Sequence, residues 1–482
     1  MTGGAVTAGP GRSAAAQLVA LHEQLWDPVR GLLLVPAGAT PGLDLGALGL
    51  HTVRESAFGA LLDLRHGDVD RAATALRHVL ELQYVAPGKP WDGTFPVTAE
   101  QEDPPDGAIE FLHFDPNWRQ FLGMMLLVVL HEFSEVLPSD LVEAAWTAVV
   151  RCATGEPVDR IPDWYTNPNL LHAWVAAHAG AHAHDDALLE QGVSRARRAV
   201  DRVVATGDVD EYNSPTYDGV DLVAVTLWSA YPPSPEFEEW GTRLTAVLCR
   251  RISLLVDAGT GVVCGPYSRA YGYDLTRYVS LLGLWLSCAG LDRVVPVDLG
   301  GDTDHVHDLF FLPLVEHLSA VVDLPWDLSE VRDARRHEQQ VGGVVAVSQL
   351  RPGVSVGHAS GPVVGSVGDQ YVPFSVHVTS APGELVHVVA RPGPGCQTVE
   401  VEALSSDRYR VVVAQAGATV RWTCSAVPVV RGDSAAVGPV RMTWTGADRH
   451  EVAPAATGDT DVLVTGDVVT YEVEVDGVGP AA

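Results

Sequence analysis

Near residue 330 the hydrophobic period of this 482-residue chain switches, and few architectures accommodate both halves. Between residues 13 and 325 apolar residues recur at a spacing of three to four, the mark of amphipathic helices. VRESAFGALLDLRHG with DVDRAATALRHVLELQYV, and DPNWRQFLGMMLLVVLHEFSEV with PSDLVEAAWTAVVRCATG, read as antiparallel hairpins, and three further pairs follow. Roughly ten to twelve helices are expected at the usual helix length. From about residue 333 the runs are short, β-branched and alternating, as in PFSVHVTS, ELVHVVARP and VRMTWTG. The expectation is an α+β multidomain chain. A disordered tail occupies 1–12, an N-terminal (α/α) toroid of helical hairpins 13–325, and a C-terminal antiparallel β-sandwich 326–482, with a linker at 323–335. No fixed period repeats, which argues against a helical solenoid.

Length alone makes two domains the default, because single cores rarely exceed about 250–300 residues. With 61 Asp and Glu against 31 Lys and Arg, the formal charge is −30. That opposes nonspecific binding to nucleic acid or an anionic membrane surface. The longest apolar run, FLGMMLLVVLHEF, is too short to span a bilayer. The first residues lack the basic and apolar regions of a secretion signal, so a cytoplasmic location is expected. The six cysteines have no metal-ligand spacing and read as buried thiols. No nucleotide-binding glycine loop or nucleophile elbow is present, and no cofactor is expected. HAGAHAHDD at 178–186 brings His178, His182 and His184 close together, but it falls where a helical hairpin turns and reads as a solvated turn, not a metal site.

Five loops are rich in aromatic and hydrogen-bonding groups, and each precedes a helix: WDGTFP, IEFLHFDPNW, DWYTNPN, VDEYNSPTYDG and GPYSRAYGYD. Loops on a rigid scaffold are where function concentrates. The densest is 208–222, DVDEYNSPTYDGVDL. Ser214 and Pro215 fit the cap and first position of the next helix. Capping does not explain Tyr212, Asn213 and Tyr217, and a Tyr at a cleft rim can act as a general acid or base.

The S-P-x-Y motif after an acidic residue, together with the domain order, resembles the heparinase II/III-like and alginate-lyase group of polysaccharide lyases. That resemblance implies β-elimination on a uronate-containing oligo- or polysaccharide, with Tyr217 as acid/base. It further implies Asn167 or Asn169 as neutraliser of the uronate carboxylate, His172 beside them, and a sandwich histidine, His358 or His377, reaching the cleft. Asp218 stands where the family usually has His. The residues also point to sugar binding by Arg269, Tyr271 and Tyr273 in GPYSRAYGYD, by Asn213 and Glu211, by Tyr165, and by Trp91, Trp118 and Arg119 at the other loops. Two alternatives stand beside the lyase. An inverting glycoside hydrolase would use a pair among Asp92, Glu110, Asp163, Glu211, Asp218 and Asp221, about 6.5–9.5 Å apart. A tailoring enzyme or a binding protein would reuse the scaffold without cleaving a glycan. The expected partner is a carbohydrate, with no nucleic acid or membrane.

Overall fold

A computed structural model describes residues 14–35, 49–296, 305–362, 370–381, 384–393, 396, 398–455 and 459–475. The tail expected at 1–12 lies outside the described residues. Among them are eleven α-helices: α1 (Ala14–Leu25), α2 (Arg54–His66), α3 (Val69–Glu81), α4 (Trp118–Phe133), α5 (Ser139–Thr154), α6 (Thr166–Ala183), α7 (Asp186–Thr206), α8 (Asp218–Ala230), α9 (Pro235–Leu255), α10 (Leu281–Cys288) and α11 (Leu312–Val321).

Burial alternates along this series. In α4 every residue from Trp118 to Leu130 is buried, and in α8 every residue from Asp218 to Trp228. Residues 166–180 of α6 and most of α2 and α10 are equally enclosed. Helices α3, α5, α7 and α9 each keep a polar, exposed face. A helix that is apolar all round must be covered on every side, whereas an amphipathic one lies on top of it. Alternating inner and outer helices are the pattern of an (α/α) toroid. Residues 269–280 are irregular, and α10 starts only where Ser280 accepts the Gly283 N–H at 3.0 Å.

Short strands punctuate the helices: β1 (Trp26–Asp27), β2 (Leu32–Leu34), β3 (His51–Thr52), β4 (Val256–Asp257) and β5 (Val262–Val263). The C-terminal part adds β6 (Arg335–Val341), β7 (Val344–Arg351), β8 (Val354–Pro362), β9 (Phe374–Ala381), β10 (Glu384–Pro392), β11 (Thr398–Ala403), β12 (Arg408–Cys424), β13 (Val429–Val430), β14 (Ser434–Val437), β15 (Val440–Thr445), β16 (Arg449–Pro454) and β17 (Thr460–Val475). These twelve form one curled antiparallel sheet whose main path runs β13-β14-β15-β17-β12-β10-β9-β8-β7-β6. Its two leaves close over a core that includes Phe374, Tyr409, Trp422, Trp444 and Tyr471. Strict alternation in β15, with Val440, Met442 and Trp444 buried, shows how period two builds that core. The chain therefore has the expected class, an (α/α) toroid of helical hairpins followed by an antiparallel β-sandwich.

By contact density the chain falls into two compact units. One comprises 1–160, 175–192 and 276–320, the other 161–174, 193–275 and 321–482. No helix among the described residues is long and apolar enough to cross a membrane. Five cysteines are buried as expected, but Cys288, in the last turn of α10, is exposed.

Candidate functional site

The loop from α7 to α8 is stitched to the segment at 264–271, and the stitching sets Tyr217 over a guanidinium. Asn213 turns the chain at φ 48°, a conformation Asn tolerates better than most residues. Its Nδ2 donates to the carbonyls of Cys264 and Pro266 at 2.8 and 2.6 Å. Ser214 Oγ donates to the Arg269 carbonyl at 2.6 Å and accepts the Tyr217 N–H at 3.0 Å. Ser214 therefore caps a turn, not α8 itself; the helix begins at Asp218, with Tyr217 in the cap position.

Arg269 is 6% exposed and bonded on three sides. Its Nη1 donates to Glu211 Oε1 at 2.6 Å, its Nε to Gln370 Oε1 at 2.9 Å, and its Nη2 to the Tyr217 hydroxyl oxygen at 2.9 Å. The guanidinium carbon lies 3.9 Å from the centre of the Tyr217 ring and 5.3 Å from that of Tyr165. Glu211 is fixed in turn, because Oε2 accepts the Thr166 N–H at 2.8 Å at the start of α6. The Tyr217 hydroxyl donates to the hydroxyl of Tyr271 at 3.2 Å, and Tyr271 is 39% exposed. Tyr217 and Tyr165 are half-buried, and the ring of Trp164, 40% exposed, stacks 5.8 Å from Tyr165. A phenol reachable from solvent thus rests on a cation that is itself held by a carboxylate. Burial pushes the Tyr217 phenol well above its ordinary pKa, while Arg269 pulls the other way.

A second cation closes the loop from beneath. Arg251, on α9, lies 3.3 Å from Asp208 and 2.9 Å from Asp218, so one guanidinium ties both ends of the loop. Burial pushes Asp218 up to about 6 against the pull of Arg251. Asp221, one turn further along α8, is 0% exposed, and neither carboxyl oxygen has a hydrogen-bond partner among the described residues. Burial, with Glu211 and Asp218 nearby, holds it well above the usual carboxylate range.

The structure thus gathers Tyr217, Arg269, Glu211, Asn213, Tyr271 and Tyr165. Others it places elsewhere. Asn169 Oδ1 accepts Arg195 Nη1 at 2.7 Å, a structural bond. Asn167, 1% exposed, follows Thr166, and its Nδ2 has no acceptor among the described residues. His172, on α6, is 1% exposed. His358 faces Tyr409 inside the sandwich, 6.0 Å between rings, and burial lowers it to about 4. His377 lies beside Tyr267 and His387, and burial lowers it to about 3. Tyr273 packs edge-on to His387 at 4.8 Å and is 6% exposed, a core position and not a sugar platform. Strand alternation turns His358 into the sandwich core beside Val356, whereas His377, between the core residues Val376 and Val378, faces the other side of the sheet, where Tyr267 and Tyr273 cover it.

Trp91, Trp118 and Arg119 belong to the other compact unit. Trp91 packs on Phe114, Arg54 covers Trp118, and Arg119, 0% exposed, is used up by the carbonyls of Pro90, Asp92 and Pro116 and by Glu156. These corrections share a cause: each side chain is enclosed by its neighbours. In the same unit His182 stacks on Trp146 at 3.9 Å and His178 lies edge-on to His131 at 4.7 Å. Sequence reasoning passed over Trp164, Gln370 and Arg251. Trp164 was visible as the aromatic neighbour of Tyr165; Gln370 and Arg251 carried no local signal.

The family model described as Domain of unknown function (DUF8769) matches residues 15–320. No curated protein matches the chain. Among solved structures, two described as heparinase III gene products are similar. One is 11% identical with a TM-score of 0.36, covering 94% of this chain and 83% of that one. The other is also 11% identical, with a TM-score of 0.33 and coverage of 88% and 78%. A heparan sulfate lyase HepC from Pedobacter heparinus is 12% identical with a TM-score of 0.29, covering 87% and 90%.

Proposed function

We propose that this chain, which belongs to the family described as Domain of unknown function (DUF8769), is a carbohydrate-active lyase that cleaves a uronate-containing oligosaccharide by β-elimination, with Tyr217 as acid/base. One observation carries the reading: Arg269 donates to the Tyr217 oxygen at 2.9 Å while the Tyr217 hydrogen points to the exposed Tyr271. A cation against a phenolic oxygen favours the phenolate, and the Tyr271 hydroxyl offers its proton a way to solvent. Arg269 is fixed by Glu211 and Gln370, so its charge needs no reorganisation when the phenolate forms.

In β-elimination the C5 proton leaves and the C4–O bond breaks, so one phenol on one face can take the first proton and return it to the departing oxygen. The substrate carboxylate must be neutralised for C5 to become acidic. Asn167, next to the Glu211-bound Thr166 and with its amide N–H groups uncommitted among the described residues, is our candidate, and substrate binding must uncover it because it is 1% exposed. Tyr165 and Trp164 offer faces on which a pyranose ring can stack. The hydrolase alternative is weaker, because Glu211 and Asp218 are already paired with Arg269 and Arg251.

The test is product chemistry on a panel of uronate oligosaccharides. The lyase gives an ultraviolet-absorbing 4,5-unsaturated end, and Tyr217→Phe lowers its rate by about 10²–10⁴-fold. Saturated products with activity retained in Tyr217→Phe would indicate hydrolysis, and no turnover of any glycan would sink both readings.

A further inference from the structure

Behind the Tyr217 loop lies a second polar focus that the proposed chemistry does not use. Asp208, Tyr212, Asn213, Arg251, Leu255 and His337 line a small cavity that offers about 10 Å³ to the centre of a water-sized sphere. Four of these lining residues, from three separate stretches of chain, carry a buried polar atom without a hydrogen-bond partner among the described residues. They are Tyr212 Oη and Asn213 Oδ1 from the loop, Arg251 Nη1 from α9, and His337 Nε2 from β6. Tyr212 is 4% exposed, Asn213 2% and Arg251 5%. A buried polar atom without a partner is unfavourable, so several at one small cavity call for a common ligand. About 10–15 Å³ is the least that admits one water, and a bound water needs two to four polar partners.

We infer that this cavity is a binding site for one ordered water, which joins Arg251 Nη1, Tyr212 Oη, Asn213 Oδ1 and His337 Nε2 as a fourfold hub. The valences close. Water accepts from the Arg251 N–H and the Tyr212 O–H, and donates to the Asn213 carbonyl oxygen and to the ring nitrogen of a neutral His337. Arg251 Nε is left to Asp208 at 3.3 Å. Burial lowers the His337 pKa, aided by Arg251 and Arg250 and opposed by Asp208, which fits the acceptor role. A halide fits less well: its larger radius exceeds the space, and Asp208 lines the same wall. The hub explains how Asn213 is held at φ 48° from both ends of its amide, with Nδ2 on the Cys264 and Pro266 carbonyls and Oδ1 on the water. Arg251 and the water together then fix the corner from which Tyr217 projects.

A crystal structure of the full chain, at a resolution that defines single waters, is expected to show one peak within hydrogen-bonding distance of all four atoms. A dry cavity, direct contact of Tyr212 Oη with Asn213 or His337, or an anomalous peak after bromide exchange would each overturn the inference. Tyr212→Phe and His337→Leu remove two ligands of the same water. Their combined loss in folding equilibrium constant should fall short of the product of the single losses by roughly 5-fold, and strict additivity counts against the hub. If either variant does not fold, the density in the unaltered chain decides.

Discussion

Arg251 and Asp221 show how individual residues trade stability for position. Arg251 holds Asp208 and Asp218, which are 2% and 1% exposed. Replacing it with Met leaves two buried carboxylates without their cation, and such losses run to about 3–5 kcal/mol. Denaturant unfolding of Arg251→Met should show a loss of that size, and a loss under 1 kcal/mol would refute the clamp. Asp221 predicts the opposite sign. Burial, with Glu211 and Asp218 nearby, makes its carboxyl keep its proton to higher pH in the fold than in the unfolded chain, so the folded state binds the extra proton. Stability tied to that proton is present below about pH 4 and fades as pH rises. Asp221→Asn, neutral at every pH, should therefore be more stable than the parent at pH 7 and indistinguishable near pH 3. Tyr217 was legible because capping could not account for it. Its partnership with Arg269 was not, because a separation of 52 positions hides the 2.9 Å contact, and Arg269 read instead as a sugar-binding residue. Gln370, a further 101 residues on, had no motif to announce it.

At the scale of elements, hairpins were legible wherever burial follows period, and strands wherever alternation is clean. Strand β6 was missed because RRHEQQV is polar on both faces, as suits the end of a sheet path that must discourage further pairing. Strands β12 and β17 were each read as two, since a glycine interrupts them. They run on as a 17- and a 16-residue strand with a register shift between Ala414 and Ala418. Gly466 is needed there: a Cβ would lie 2.4 Å from the Gly446 carbonyl oxygen. Gly466→Ala should cost about 1–3 kcal/mol through forced backbone displacement, measurable as a lowered urea midpoint. The sandwich also has a predictable acid limit. Burial lowers His358 to about 4 and His377 to about 3, from an ordinary 6.5. Below pH 6.5 the unfolded chain binds protons that the fold refuses, so stability present above 6.5 is lost progressively down to about 3. Near-ultraviolet circular dichroism should show His377→Leu shifting the acid midpoint to lower pH, and an unmoved midpoint would rule out His377 as a contributor.

The whole molecule carries 61 acidic and 31 basic side chains, and that imbalance has consequences no single contact reveals. Its arginines are heavily committed, as Arg251, Arg269 and Arg119 illustrate, so the surplus of 30 negative charges is left facing other negative charges. Folding concentrates those charges into a smaller volume, and the repulsion works against the compact state. Neutral salt screens interactions beyond about 8–10 Å at 0.1–0.15 M, which reaches the diffuse surface repulsion. It hardly touches pairs such as Arg251 with Asp218, whose side chains are 5% and 1% exposed. The two effects separate cleanly. If surface repulsion dominates, the melting temperature rises with sodium chloride from 0.01 to about 0.15 M and flattens once the Debye length falls below the spacing of surface charges. If exposed ion pairs such as Arg77 with Asp140 or Lys89 with Asp106 carried the stability, the same salt would lower it. Exposed pairs contribute little each, about 0–1 kcal/mol, whereas the surplus acts over the whole surface, so the expected slope is positive. A thermal melt series in chloride salt decides between them, and a falling melting temperature would show that the acidic surplus is not what limits this fold.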